Sequence, residues 1–278
     1  MWKLYLIRFK SNPFAVLGAV SILMLIVIAS VSPYITLQDP FDQDLFQRLQ
    51  PPSSEHLLGT DELGRDLLSR ILYATRVSLL VGVVAMSISL LIGTSLGLLA
   101  GYVGGWVDDL IMRFVDIMLC FPSFFLILMV SAFLEPNIYN VMIIIGLVSW
   151  PGLARLVRGE CLSLREREFM LVAKNLGLSR FRMLFVHLLP NVISPVIVSA
   201  TLGIGGAILT ESSLSFLGLG VQPPNPSWGN ILTSGKDYIY MAWWLSLFPG
   251  LAILFTVLSF NFLGEGMRDV LDPKLESI

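Results

Sequence analysis

The sequence predicts an all-α polytopic membrane protein with six transmembrane helices, and three observations carry that prediction. Hydrophobic residues make up 55% of the chain and charged residues only 14%, with a mean hydropathy of +0.78, values of membrane proteins rather than soluble domains. Six stretches between charges are long enough to cross the ~30 Å hydrocarbon layer, which takes about 20 mostly apolar residues. Lys and Arg are also distributed unequally over the connecting segments.

The six stretches are Pro13–Gln38, Val77–Val107, Phe114–Leu134, Asn137–Ala154, Leu188–Thr210 and Tyr238–Gly264. A charge at a span centre costs about 2.5–3.5 kcal/mol against roughly half a kcal/mol gained per Leu or Ile, so clean gaps of this length select spans. The fourth is interrupted near its end by Trp150-Pro151-Gly152. The first follows Lys3, Arg8 and Lys10, as a signal peptide would. Its apolar run exceeds the usual core of about 7–15 residues and no A-x-A cleavage site follows, so it reads as a retained anchor.

With the N-terminus inside, every Lys and Arg except Arg48, Arg65, Arg70, Arg76 and Lys236 falls on the cytoplasmic side, and six spans return the C-terminus there. The expected location is the cell (inner) membrane. Cys120 is expected within the third span and Cys161 in a reducing cytoplasmic loop, so no disulfide is expected. The chain divides into residues 1–76, an anchor with its extracytoplasmic loop, and residues 77–278, a five-helix core with a cytoplasmic loop at about 155–187.

In the extracytoplasmic loop, Pro51-Pro52-Ser53-Ser54 reads as a turn or extended linker. After it, DELGRDLLSRILYATR places Leu67, Leu68, Ile71 and Leu72 as on a helix lying along the interface; a simple connector is the equal alternative. In the second span Ala85, Ser89, Gly93, Gly97 and Gly101 recur every four residues. Such a stripe lets helix backbones approach closely. The fifth span repeats it with Ser199, Gly203 and Ala207, followed by Glu211. Helix packing is expected there ahead of lining a translocation path. Asp116 and Glu211 are the acids near the spans, both placed toward span ends, which disfavours an ion-coupled pump.

Catalytic signatures are missing from the sequence. It has no G-x-x-x-x-G-K-[ST], H-E-x-x-H or S-x-x-K, and His56 and His187 fall on opposite sides of the membrane. No metal or nucleophile site is expected, and any nucleotide would have to be bound by another chain. The segment from Arg155 to His187 is too long and charged for a simple turn. It reads as a helix, a corner at Gly177 and a second helix capped by Ser179. A helix on the lipid surface and a helix seated in a protein socket both fit this pattern.

Within this segment, EFMLVAKNLGLSRFRMLFVHLLPN, with Ala173, Gly177 and Pro190, resembles the EAA loop of permease subunits of ATP-binding-cassette (ABC) importers. LGTDELGRDLLSRILYATRVSLLVG (Leu58 to Gly82), ESSLSFLGLGVQPPNPSWGNIL (Glu211 to Leu232) and FLGEGMRDVLDPKL (Phe262 to Leu275) resemble the second permease of the dipeptide, oligopeptide and nickel importers. The resemblance implies the type I ABC importer permease fold and half of a translocation path for a small solute. Peptides lead as the solute and nickel or another small solute is the alternative. The implied partners are a second homologous permease, two ABC ATPase subunits or domains, an extracytoplasmic binding protein and membrane lipid, with no nucleic acid. ATP and Mg would sit on the ATPases and no cofactor on this chain.

The same resemblance makes Glu168, Leu171, Val172, Ala173, Lys174, Gly177, Arg180 and Pro190 the ATPase-coupling loop. Leu171-Val172-Ala173 stands where the family usually has Glu-Ala-Ala, and Glu168, one turn earlier, is the candidate to compensate. Ser89, Gly93, Gly97, Ser199, Gly203, Ala207 and Glu211 are the candidates for helix packing or the translocation path. The rival classes are an ion-coupled secondary transporter using Asp116 or Glu211, and a membrane scaffold or sensor that transports nothing.

Overall fold

The computed structural model describes residues 2–36 and 38–271, and among them every regular element is helical. Lys274 and the close of the Phe262–Leu275 stretch lie outside the described residues. In chain order the helices are α1 (Trp2–Ser11), α2 (Pro13–Ile35), α3 (Leu67–Val103), α4 (Gly105–Cys120), α5 (Ser123–Phe133), α6 (Ile138–Arg165), α7 (Glu168–Asn175), α8 (Arg180–Phe216), α9 (Trp228–Lys236) and α10 (Trp244–Leu271).

Helices α2, α3, α6, α8 and α10 are each long and apolar enough to cross a membrane. The third expected span is not one rod: α4 and α5 meet at 83°. Pro122 has no N–H to donate and disfavours helical backbone in the residue before it, and Phe121 is accordingly extended, at φ −98° and ψ 134°. Val115 of α4 is buried with Trp150 and Ala154, and Ile127 of α5 is buried among Val81, Val141 and Ile145. The bent pair thus carries the chain from the finish of α3 to the start of α6, a sixth passage along the bundle.

Three further expectations change. Leu67, Leu68, Ile71 and Leu72 do not form a separate interfacial helix but open α3, so residues 76 and 77 lie inside one continuous helix. Its first turn is capped by Asp66, whose carboxylate accepts the Ser69 N–H at 2.8 Å. Trp150-Pro151-Gly152 does not end α6, which runs on to Arg165 with Trp150 and Pro151 buried. A proline inside a membrane helix is tolerated when neighbouring helices hold both halves in place. The sixth span starts at Trp244 rather than Tyr238, because residues 238–241 turn instead.

Helix α3 sits at the centre, packed on α6, α8 and α2, while α10 closes the bundle against α2 and α8. A Cβ added to Gly97 would lie 2.5 Å from the Ala154 carbonyl oxygen, and one at Gly101 2.7 Å from Cys161 Cβ. The stripe on α3 is therefore the seam with α6. Cys161 is buried in that seam, inside α6 rather than in a loop. At one end of the bundle Asn12 caps α2 and donates from Nδ2 to Asp269 of α10 at 3.0 Å. This end also holds α7 and is called the basic end; the opposite one is the cap end.

The cap end is a folded polar knot, and the expected turn follows Pro51-Pro52, where the Ser53 N–H donates to the His56 carbonyl at 2.8 Å. His56 Nδ1 lies 3.1 Å from Asp66 Oδ1 and its Nε2 2.6 Å from Gln47 Oε1. Asp61 accepts Arg65 Nε–H at 2.7 Å and lies 3.3 Å from Arg70 Nε. Trp244 Nε1–H donates to the Thr60 carbonyl at 3.1 Å, tying the knot to α10. The second half of the cap follows α8. Trp228, at the start of α9, donates its backbone N–H to Ser78 Oγ and its indole N–H to the Ile71 carbonyl, both on α3.

Candidate functional site

Two features stand out, a corner at the basic end and a cleft inside the bundle. The corner begins with α7, which turns off α6 through Glu166 and Arg167 alone. Glu168 in its first turn and Lys174 in its last complement the helix dipole. Met170 and Ala173 face inward and are buried with Cys161, Leu164 and Met183. Residues three and four apart share a helix face, so Glu168, Leu171 and Val172 lie together on the outward side. Leu171 and Val172 are 50% and 56% exposed.

Gly177 ends α7 at φ +70°, a left-handed conformation that costs a residue with a Cβ about 1–2 kcal/mol. Its N–H donates to Lys174 O at 3.0 Å and the Leu178 N–H donates to Ala173 O at 3.3 Å, the paired bonds of a Schellman motif. Ser179 then caps α8, its Oγ accepting the Arg182 N–H at 3.4 Å. Arg180 and Pro190 are exposed on this new helix. Between them it widens to a π-helical stretch at Met183–Leu188, a form that often marks functional sites. Phe181 and Phe185 project outward as a pair with ring centroids 4.4 Å apart.

The cleft lies between α3, α6 and α8 and has a volume of about 370 Å³. Ser199, Gly203, Ala207 and Thr210 of α8 face Ser149 and Gly152 of α6 across it, with Ala85 and Met86 of α3 at the side. The fifth-span stripe therefore borders a space and also packs, Ala207 being buried with Val81, Ala85, Ile144 and Ile145. The space stays open where Ser149 and Gly152 of α6 lie between Ile145 and Leu153, and Met86 comes nearest the stripe: a Cβ at Gly203 would meet Met86 Sδ. Ser89, Gly93 and Gly97 lie outside the cleft, Gly93 and Gly97 against Trp150, Leu153, Ala154 and Val157 of α6.

The chemistry of the cleft is neutral, since no charged side chain lines it. Ser149 donates its hydroxyl hydrogen to Ile145 O at 2.7 Å and Thr210 to Gly206 O at 2.8 Å. With their hydrogens used inside their own helices, these hydroxyls keep lone pairs free to accept from a solute.

Neither candidate acid reaches this space. Glu211 is fully buried beside the cap, its carboxylate accepting from Ser215 Oγ at 2.7 Å. Ser215 Oγ in turn accepts the Val221 N–H at 3.0 Å, which fastens the returning loop to the end of α8. Asp116 is paired with Arg155 at 2.5 Å.

Sequence reasoning missed Gly206 and Thr210, although they continue the stripe one and two turns beyond Gly203. It missed Ser149 and Gly152, which sit one turn apart on α6, and the Phe181–Phe185 pair, which sits one turn apart on α8. The cap knot left a fainter trace, an Asp and an Arg at i and i+4 in Asp61-Glu62-Leu63-Gly64-Arg65.

Residues 93–277 match the family described as the binding-protein-dependent transport system inner membrane component. Residues 1–52 match the N-terminal transmembrane domain of oligopeptide transport permease C. The chain is 46% identical over 276 residues to a dipeptide transport system permease protein of Alkalihalophilus pseudofirmus, covering 99% of this chain and 91% of that one. It is 43% identical to a probable D,D-dipeptide transport system permease protein of Escherichia coli, covering 95% and 89%. It is also 43% identical to a glutathione transport system permease protein of Pectobacterium atrosepticum, covering 99% and 92%.

Proposed function

The chain belongs to the family of binding-protein-dependent transport system inner membrane components, and from that premise we propose how it works as a permease subunit and what it carries. The cargo is a short peptide. Relatives named for dipeptides and glutathione support this, and so does a cleft whose hydroxyl lone pairs suit the N–H groups of a peptide backbone. A second permease of similar fold supplies the facing half of the path, and an extracytoplasmic binding protein delivers the solute to the cap end.

The basic end lies in the cytoplasm, with both termini, because Lys and Arg concentrate there. Two ATPase subunits or domains dock at it and hold the ATP and Mg, while this chain binds no cofactor. The observation that carries the docking is the outward face of α7: apolar Leu171 and Val172 beside Glu168, presented on a rigid glycine corner. Glu168 takes over the charge that the loop lacks at Leu171, and the rest of the contact is apolar. Closure of the ATPases shifts α7 and biases the bundle between two packings.

The test is reconstitution of the chain with its neighbouring permease, ATPases and binding protein in liposomes. Uptake of labelled di- and oligopeptides that requires ATP and every partner is the expected result. Uptake without ATPases would turn the assignment toward an ion-coupled transporter, and uptake of nickel but not peptide would replace the cargo.

A further inference from the structure

Helix α4 changes direction from its neighbours at both ends. Gly104, at φ +70°, turns the chain between α3 and α4, whose first residue Gly105 is at +55°, and the 83° elbow separates it from α5. It packs on Ile92 and Leu96 of α3, and two ion pairs tie it to α6, the exposed Asp116–Arg155 pair and a more shielded one nearer its start. Arg158 donates from Nε and Nη2 to the two carboxylate oxygens of Asp108, at 2.5 and 2.6 Å, a forked geometry that fixes orientation as well as distance. The pair is largely shielded, with Asp108 13% and Arg158 31% exposed. Further along, Phe114 stacks on Trp150, with centroids 5.8 Å apart and planes 19° apart.

Helix α6 also helps to carry the docking helix, because Met170 and Ala173 of α7 are buried with Cys161 and Leu164 of α6 as well as with Met183 of α8. We infer that Asp108 and Arg158 are positioning residues for transport: their forked ion pair makes α4 follow α6, so that a shift of α7 reaches the bent third span. This inference rests on the permease reading above. Neither residue touches the cleft; they act by transmission between a driven helix and the bent span.

The experiment uses the whole reconstituted transporter and measures assembly, ATP hydrolysis and uptake for Asp108→Asn, Arg158→Gln and the exchanged pair Asp108→Arg/Arg158→Asp. The neutral variants are expected to assemble and hydrolyse ATP while uptake per ATP falls about tenfold, within the usual range of a coupling effect. The exchanged pair is expected to recover most of that loss. Because Arg in the first turn of α4 opposes the helix dipole, Asp108→Glu is included as a milder variant that keeps the charge and retains coupling.

Unchanged uptake per ATP in the neutral variants would overturn the inference. So would a parallel fall of assembly, hydrolysis and uptake, which would mark the pair as a structural clamp alone. A wild-type assembly without ATP-dependent uptake would overturn the permease reading itself.

Discussion

The two ends of the bundle solve opposite problems. At the cap end, His56, Asp61, Arg65, Asp66 and Arg70 are buried polar groups that meet partners inside the chain. At the basic end, Leu171, Val172, Leu176, Phe181 and Phe185 are apolar groups left about half exposed or more. Buried charge is tolerated only when paired and bonded, so the charges of the knot are met within this chain, while Phe46 and Tyr240 beside it stay exposed. Exposed apolar side chains on a rigid corner are what a partner or lipid covers, so the corner is finished by something else. The difference separates a paired polar knot from an apolar docking corner, and substitutions break the two in different ways.

The largest effect is expected from Asp61→Ala. It leaves Arg65 and Arg70 buried without their shared carboxylate, and removing one partner of a buried pair costs about 3–5 kcal/mol. The purified protein should accumulate poorly and melt at a lower temperature. An unchanged melting midpoint would mean that the cap is not the self-contained knot described.

Next comes Gly177→Val. A Cβ there meets nothing within 4 Å, so the cost comes from the positive φ alone, about 1–2 kcal/mol and somewhat more for a β-branched residue. Assembly should survive while permease-stimulated ATP hydrolysis and uptake uncouple. Normal uptake would sink the lever.

A smaller effect is expected from Leu171→Ser with Val172→Ser. Both side chains are half exposed in the free chain, so the melting midpoint should hold. ATPase affinity in a binding titration should fall about tenfold, in line with the apolar area no longer covered. Unchanged affinity would move the docking face elsewhere, toward Phe181 and Phe185.

The smallest is Glu168→Gln, expected to weaken ATPase binding about twofold, as for a solvent-exposed ion pair, and to remove part of its salt dependence. An effect larger than that of the Leu171 and Val172 pair would make the contact ionic rather than apolar.

Much of the fold was legible in the sequence because lipid is a uniform solvent. A run of about 20 apolar residues means the same thing wherever it occurs, and α2, α3, α6, α8 and α10 lie where those runs are. Local chemistry was legible for a similar reason: Gly177 and Ser179 act on bonds within a few residues, and the corner follows. Asp61 to Arg70 was harder to read, because charges in a loop look solvated until His56, Gln47 and Trp244 are brought around them.

The sequence by itself therefore determined the helical membrane class, the runs that become spans and the turn chemistry of the corner. Tertiary structure alone decided that the stripe on α3 is a seam with α6 while the similar stripe on α8 lines a cleft. It also decided that Glu211 and Asp116 are satisfied by Ser215 and Arg155, and that the third span breaks at an elbow steadied by Asp108 and Arg158. The physical reason is that periodicity assigns residues to a face of a helix, whereas what a face does depends on the side chains that another helix brings to it.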